Sequence, residues 1–203
     1  MSAFQFITLT FSIVLFYLFF KEITSQAHEV EKDDKKIQNF SELVNSPQKS
    51  QRVEELIAEA KEFFLDREFE KAQKALLSAS IIEPKNPDVL RGLGVASLEL
   101  GDYKRAKNFY ENLLSIKPND DLGFGSLANT LHKLGEDEEA IKNHQKAIEL
   151  DPDYAPHHFN YANTLYDLKR FDEALESYKK AYSLDNSLKE AKEMILKSKR
   201  GNS

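Results

Sequence analysis

Five histidines, His28, His132, His144, His157 and His158, are the first residues to weigh for chemistry. A helix-borne metal site of the protease kind needs two His four residues apart with an acid beside them, and no pair here has that spacing. His144 falls in a column of packing residues and is expected to be partly buried. His157-His158 falls in a helix's first turn, where surface or packing roles are expected over ligation. The chain has no Cys, which removes disulfides, thiolate catalysis and Cys-based zinc sites. G-x-S-x-G, P-loop and G-x-G-x-x-G motifs are absent, and Gly92-Leu93-Gly94 is accounted for by helix packing. The carboxylates concentrate on helix surfaces such as EDEEA at 136–140, where acids favour a first turn. No catalytic residue, metal site or cofactor is therefore expected. With 28 Lys and Arg against 34 Asp and Glu, the net charge is −6, so no nucleic-acid partner is expected either.

The polar side chains that remain must be positioned by some framework, and the sequence supplies one with a fixed period. Pro84, Pro118 and Pro152 are 34 residues apart, with Asn186 in the fourth place. Ala72, Ala106, Ala140 and Ala174 keep the same spacing of 34, as do Ala60, Gly94, Ala128 and Ala162, and Ala79, Leu113, Ala147 and Ala181. Four repeats follow: 53–86, 87–120, 121–154 and 155–188. Each reads as two helices. In the last, Phe159, Tyr161, Ala162, Leu165 and Tyr166 lie near one side of the first helix, and Ala174, Leu175, Tyr178 and Ala181 line the second. Small residues let helices cross closely, and the scheme sets Gly94 against Ala106 and Ala128 against Ala140. Gly101 and Gly135 supply the turn between helices, where a left-handed backbone is expected, and Arg67 and Lys169 stand at the equivalent places. A last helix within 189–203, with a stripe of Leu188, Ala191, Ile195 and Leu196, is expected to cap the stack.

This pattern resembles the tetratricopeptide repeat (TPR) over residues 53–188. The resemblance implies an all-α solenoid of four helix hairpins plus a C-terminal capping helix. The family's aromatic at the start of the second helix is matched by Phe69, Tyr103 and Phe171, whereas repeat three has Asp137. The first helix of each unit would line a concave groove for a protein or peptide client. Carried over, the groove residues include Lys61, Arg91, Val95, Leu98, Asn129, His132, Phe159, Asn163 and Tyr166. The segments SLANTL (126–131) and NYANTL (160–165) are similar to the Asn-ladder repeats of the O-linked N-acetylglucosamine transferase family, which adds Asn160. An Asn carboxamide both donates and accepts, which suits a peptide backbone; the alternative is that these Asn merely solvate the groove. Asn129→Ala with Asn163→Ala is expected to weaken binding with stability nearly unchanged. The cation clamp by which other family members hold an acidic chaperone tail has no match. Its places hold Ile57, Lys61, Gly92, Leu122 and Ser126 in one frame, and Arg91, Val95, Ser126, Pro156 and Asn160 in the other.

The N-terminus is of another kind. Residues 4–20, FQFITLTFSIVLFYLFF, carry no charge and hold six of the fourteen Phe. Seventeen to twenty helical residues span about 26–30 Å, close to a bilayer's hydrocarbon core. Residues 1–20 are read as a single-pass transmembrane anchor. The alternative is a secretory signal peptide cut after Ala27, with Ser25 and Ala27 as the small-x-small site. A core helix is disfavoured, since no polar face exists. Lys21, Lys32, Lys35 and Lys36 follow the run, which places the repeats on the cytoplasmic side. Residues 21–52 read as a polar linker, in which Ile37, Phe40 and Val44 could form a short amphipathic turn. The expectation is a membrane-tethered scaffold serving the assembly of a membrane complex. The alternatives are an exported adaptor or the regulatory subunit of an enzyme.

Overall fold

The computed structural model describes residues 49–201. They form α1 (Lys49–Leu65), α2 (Phe69–Ile82), α3 (Pro87–Glu99), α4 (Tyr103–Ile116), α5 (Asp121–Lys133), α6 (Asp137–Leu150), α7 (Ala155–Asp167), α8 (Phe171–Leu184) and α9 (Lys189–Gly201). Among the described residues the fold is all-α, and each helix from α2 to α8 packs on the next. The first helices of successive hairpins also touch, α3 with α5 and α5 with α7. The residues read as an anchor, 1–20, and most of the linker lie outside the described part. Within it, no helix is long and apolar enough to cross a membrane. Lys49–Arg52, read as the end of the linker, are instead the first turn of α1. Val53, Leu56 and Ala60 give that helix a buried stripe, and Arg52 pairs with Glu55 at 3.0 Å in the same turn.

The hairpin turns repeat one device. Arg67, Gly101, Gly135 and Lys169 all take positive φ, from 58° to 77°. After α1, Glu68 N donates to Phe63 O (2.8 Å) and Arg67 N to Phe64 O (3.1 Å). The same pair of bonds recurs at Asp102–Ser97, Glu136–Leu131 and Arg170–Leu165. This closes orphan carbonyls at each helix end in a Schellman motif. Between hairpins, the N–H groups of Glu83, Lys117, Asp151 and Asp185 donate to Ala79, Leu113, Ala147 and Ala181, and Pro84, Pro118 and Pro152 prevent the helices from continuing. Asn86, Asp102 and Asp120 cap the helices that follow them with their side chains.

The periodic columns are the core. Ala72, Ala106, Ala140 and Ala174 are fully buried, as are Ala79, Leu113, Ala147 and Ala181. A third buried column, Leu76, Tyr110, His144 and Tyr178, carries larger side chains and fills the space between hairpins. At Gly94 this corrects the pairing expected from sequence. A Cβ there would lie 2.7 Å from the Tyr110 ring, so the neighbour that requires Gly is that ring, one turn beyond Ala106. The capping helix differs too. Ala191 is fully buried, Met194 and Ile195 pack on the core of repeat four, and Ser198 is buried, whereas Leu196 is 56% exposed. Residues 191, 194, 195 and 198 share one helical face, and Leu196 lies well round the cylinder from it.

Candidate functional site

Helices α3, α5 and α7 bring their C-terminal ends together around a cleft of about 390 Å³. Its walls are Leu98, Glu99, Tyr103, Asn129, His132, Lys133, Asn163, Thr164 and Asp167. Four of the groove residues expected from sequence, Leu98, Asn129, His132 and Asn163, thus meet in one place. The others do not line it. Lys61 is exposed on α1, and Val95 and Asn160 are half-buried on α3 and α7. Arg91 is held by Asp120, which also caps α5 by accepting from Gly123 N at 3.0 Å. Phe159 packs against Tyr178 with ring centroids 5.6 Å apart, and Tyr166 against Phe171 at 5.1 Å.

The chemistry of the cleft is set by what each polar group already holds. His132 Nδ1 lies 2.7 Å from Asp137 Oδ1 and its Nε2 3.2 Å from Asp167 Oδ2. Both ring nitrogens are therefore engaged by carboxylates, and the imidazole links α5 to α6 and to α7. Aromatic pairs, Phe64–Phe69 and Tyr166–Phe171, stand at this place in repeats one and four. The Asp137 that breaks the aromatic column is explained by His132, and the two departures are one hydrogen-bonded substitute for a ring contact. Asn163 Oδ1 accepts from the Tyr178 hydroxyl at 2.7 Å. Asn129 makes no side-chain hydrogen bond among the described residues. The expectation that both Asn can be truncated without cost is thereby revised. Asn129→Ala leaves the core alone, whereas Asn163→Ala leaves a buried hydroxyl unpaired, a loss of roughly 1–3 kcal/mol.

The other histidines among the described residues, His144, His157 and His158, are structural. His144 is fully buried, its Nε2 3.0 Å from Thr164 Oγ1 and its ring 5.8 Å from that of Tyr161. Burial drives its pKa down to about 3, with the charges of His132 and His157 acting in the same direction. His157 is buried with Nε2 2.8 Å from Asp121 Oδ2, and His158 Nε2 lies 2.9 Å from the Pro152 carbonyl. Burial also lifts the Tyr110 hydroxyl to about 12 and raises that of Tyr178. Among the described residues no cluster of three or more His, Asp and Glu is arranged to hold a metal ion. Glu99, Lys133, Thr164 and Asp167 were not singled out from sequence, and Tyr103 only as a repeat aromatic. The signal available for them was their place in the last turns of first helices or beside them.

Comparison with known proteins bears on this architecture. Family models described as TPR or tetratricopeptide repeat match residues 63–130, 128–169 and 158–188. Over 88 residues the chain is 32% identical to Hsp70-Hsp90 organizing protein 1 of Glycine max, covering 43% of this chain and 15% of that protein. Among solved structures, the MamA protein superposes with a TM-score of 0.64 at 19% identity, covering 75% of this chain and 84% of that one. The pilF protein of Pseudomonas aeruginosa gives a TM-score of 0.67 at 18% identity, covering 74% and 68% respectively. At such identities the two structures share the fold.

Proposed function

The chain is a tetratricopeptide-repeat protein, and from that premise we propose that it is a scaffold without catalytic activity of its own, which holds an extended segment of a client polypeptide across α3, α5 and α7. The observation that carries the reading is the cleft in which Asn129, Asn163 and apolar Leu98 converge from three successive first helices. Leu98 and Tyr103 offer apolar contact, and the carboxamides offer sequence-tolerant hydrogen bonds to a main chain. The likeness to the Glycine max protein does not bring an acidic chaperone tail with it. The clamp's cation places hold Ile57, Leu122 and Ser126 in one frame and Arg91, Pro156 and Asn160 in the other, Arg91 is already paired with Asp120, and Glu99 and Asp167 stand at the cleft.

Residues 4–20 are proposed as a membrane anchor on the cytoplasmic side of which the repeats sit, the linker giving them reach. Tethering raises the effective concentration of a membrane-bound client, so weak cleft contacts suffice. Such a scaffold would serve while a membrane complex assembles. The test uses the full chain in its native membrane with a photo-crosslinking residue at Lys133, an exposed residue of the cleft wall. The expected result is a discrete crosslinked polypeptide, whose yield falls several-fold with Asn129→Ala while the melting temperature stays put. The same membranes are washed in alkaline carbonate. Release of the chain into the wash rejects the anchor, and crosslinking unaffected by Asn129→Ala rejects the cleft.

A further inference from the structure

We propose that Tyr178 is a positioning residue for the cleft: its hydroxyl fixes the Asn163 carboxamide so that the cleft offers an N–H donor, which a bound polypeptide must answer with a carbonyl oxygen. The inference rests on the client-holding reading above and narrows it. Tyr178 is fully buried, in a core with Ala162, Leu165 and Ala174. A buried phenol proton left without an acceptor is costly, and the acceptor it has is Asn163 Oδ1 at 2.7 Å. That bond decides which way round the carboxamide sits. With Oδ1 turned to the phenol, the Nδ2 amide group faces away from it, and it has no partner among the described residues. Asn163 itself lines the cleft, so the group left over is the one a ligand meets.

Asn129 shows by contrast that this is a property of repeat four. The residue one period before Tyr178 is His144, whose Nε2 is turned to Thr164 at 3.0 Å. No side chain holds the Asn129 carboxamide, which can rotate to donate or accept. Two near-identical motifs, LANTL and YANTL, therefore present different chemistry: an adaptable carboxamide followed by a fixed donor. Such a pair gives an extended ligand a register and a chain direction, which two freely rotating amides would not.

The test has two readouts on the full chain. The first needs no ligand. The Asn163 side-chain amide signals, identified by their loss in Asn163→Asp, should shift in Tyr178→Phe while those of Asn129 stay in place; an unmoved Asn163 pair overturns the proposal. The second uses an acetylated and amidated peptide taken from a random display library on the wild-type chain. Tyr178→Phe and Asn163→Ala should each weaken its binding roughly 5–10-fold, and the double variant no more than either alone. Asn163→Asp keeps an acceptor for Tyr178 but has no N–H, and should weaken binding about tenfold or more. Effects that multiply in the double variant, or an Asn163→Asp chain that binds as well as wild type, overturn the proposal. A library that yields no binder counts against the client-holding reading instead, and the amide spectra then decide alone whether Tyr178 holds Asn163.

Discussion

Burial keeps the His144 imidazole neutral in the folded chain, with its pKa pushed down to about 3 from an ordinary 6.5. The sign of the linkage follows. A histidine whose folded pKa is depressed binds its proton more readily when unfolded, so falling pH favours unfolding. Stability should be lost progressively as pH drops from about 6.5 towards about 3, by up to about 1.4 kcal/mol per pH unit. His144→Leu, which copies Leu76 of repeat one, removes the titrating group from the same buried column. Thermal melts of both chains between neutral pH and pH 4.5 should show a steeper decline for the wild type, whatever the absolute stability of the variant. Parallel declines would mean that His144 is hydrated and free to take its proton. Part of this was legible in the sequence, since the spacing placed His144 in a packing column. Its Thr164 partner was not, because that contact crosses from α6 to α7. Gly94 gives the same lesson. Its smallness is visible in the sequence, but the Tyr110 ring that demands it is visible only in three dimensions.

The four hairpin turns share one backbone conformation, although two are built from Gly and two from Arg67 and Lys169. The 34-residue period made this readable from sequence, because the carbonyls to be closed recur at the same place in each unit. The side chain at the turn is then a local cost rather than a change of shape. A left-handed residue other than Gly costs about 1 kcal/mol. Lys169 is exposed, and nothing lies within 4 Å of a Cβ at Gly135, so neither site has packing to confuse the measurement. Lys169→Gly should stabilise the chain by about 1 kcal/mol, and Gly135→Ala should destabilise it by a similar amount. Denaturant midpoints moving in opposite directions would bear this out. Equal or like-signed shifts would show that the turn does not hold its left-handed residue in solution. The capping helix was less legible than the turns. Apolar residues alone suggested a stripe through Leu196, but α9 turns towards α8 the face that carries Ala191, Met194, Ile195 and polar Ser198. Ser198 can be buried there because its hydroxyl donates back to the Met194 carbonyl at 2.9 Å.

A stack of hairpins is held by contacts between neighbours, so damage at one end should stay near that end. The cleft ties this to function, because it draws on α3, α5 and α7 while the residue that orients Asn163 sits on α8. Helix α9 covers that same core: Met194 and Ile195 pack against Ala162, Leu165, Ala174 and Tyr178. Removing residues 189–203 strips these side chains from repeat four, at a cost of a few kcal/mol. Hydrogen exchange on the truncated chain should speed up across α7 and α8 and remain slow in α3 and α4. The His132 link to Asp167 would loosen with α7, leaving Asn129 on a folded helix but Asn163 without its orienting hydroxyl. Binding of a client segment should then fall by at least the 5–10-fold expected for losing the fixed donor, with half of the array still protected. If exchange instead accelerates equally from α2 to α8, the repeats fold as one cooperative body, and the cleft cannot be weakened from its C-terminal side without unfolding the whole.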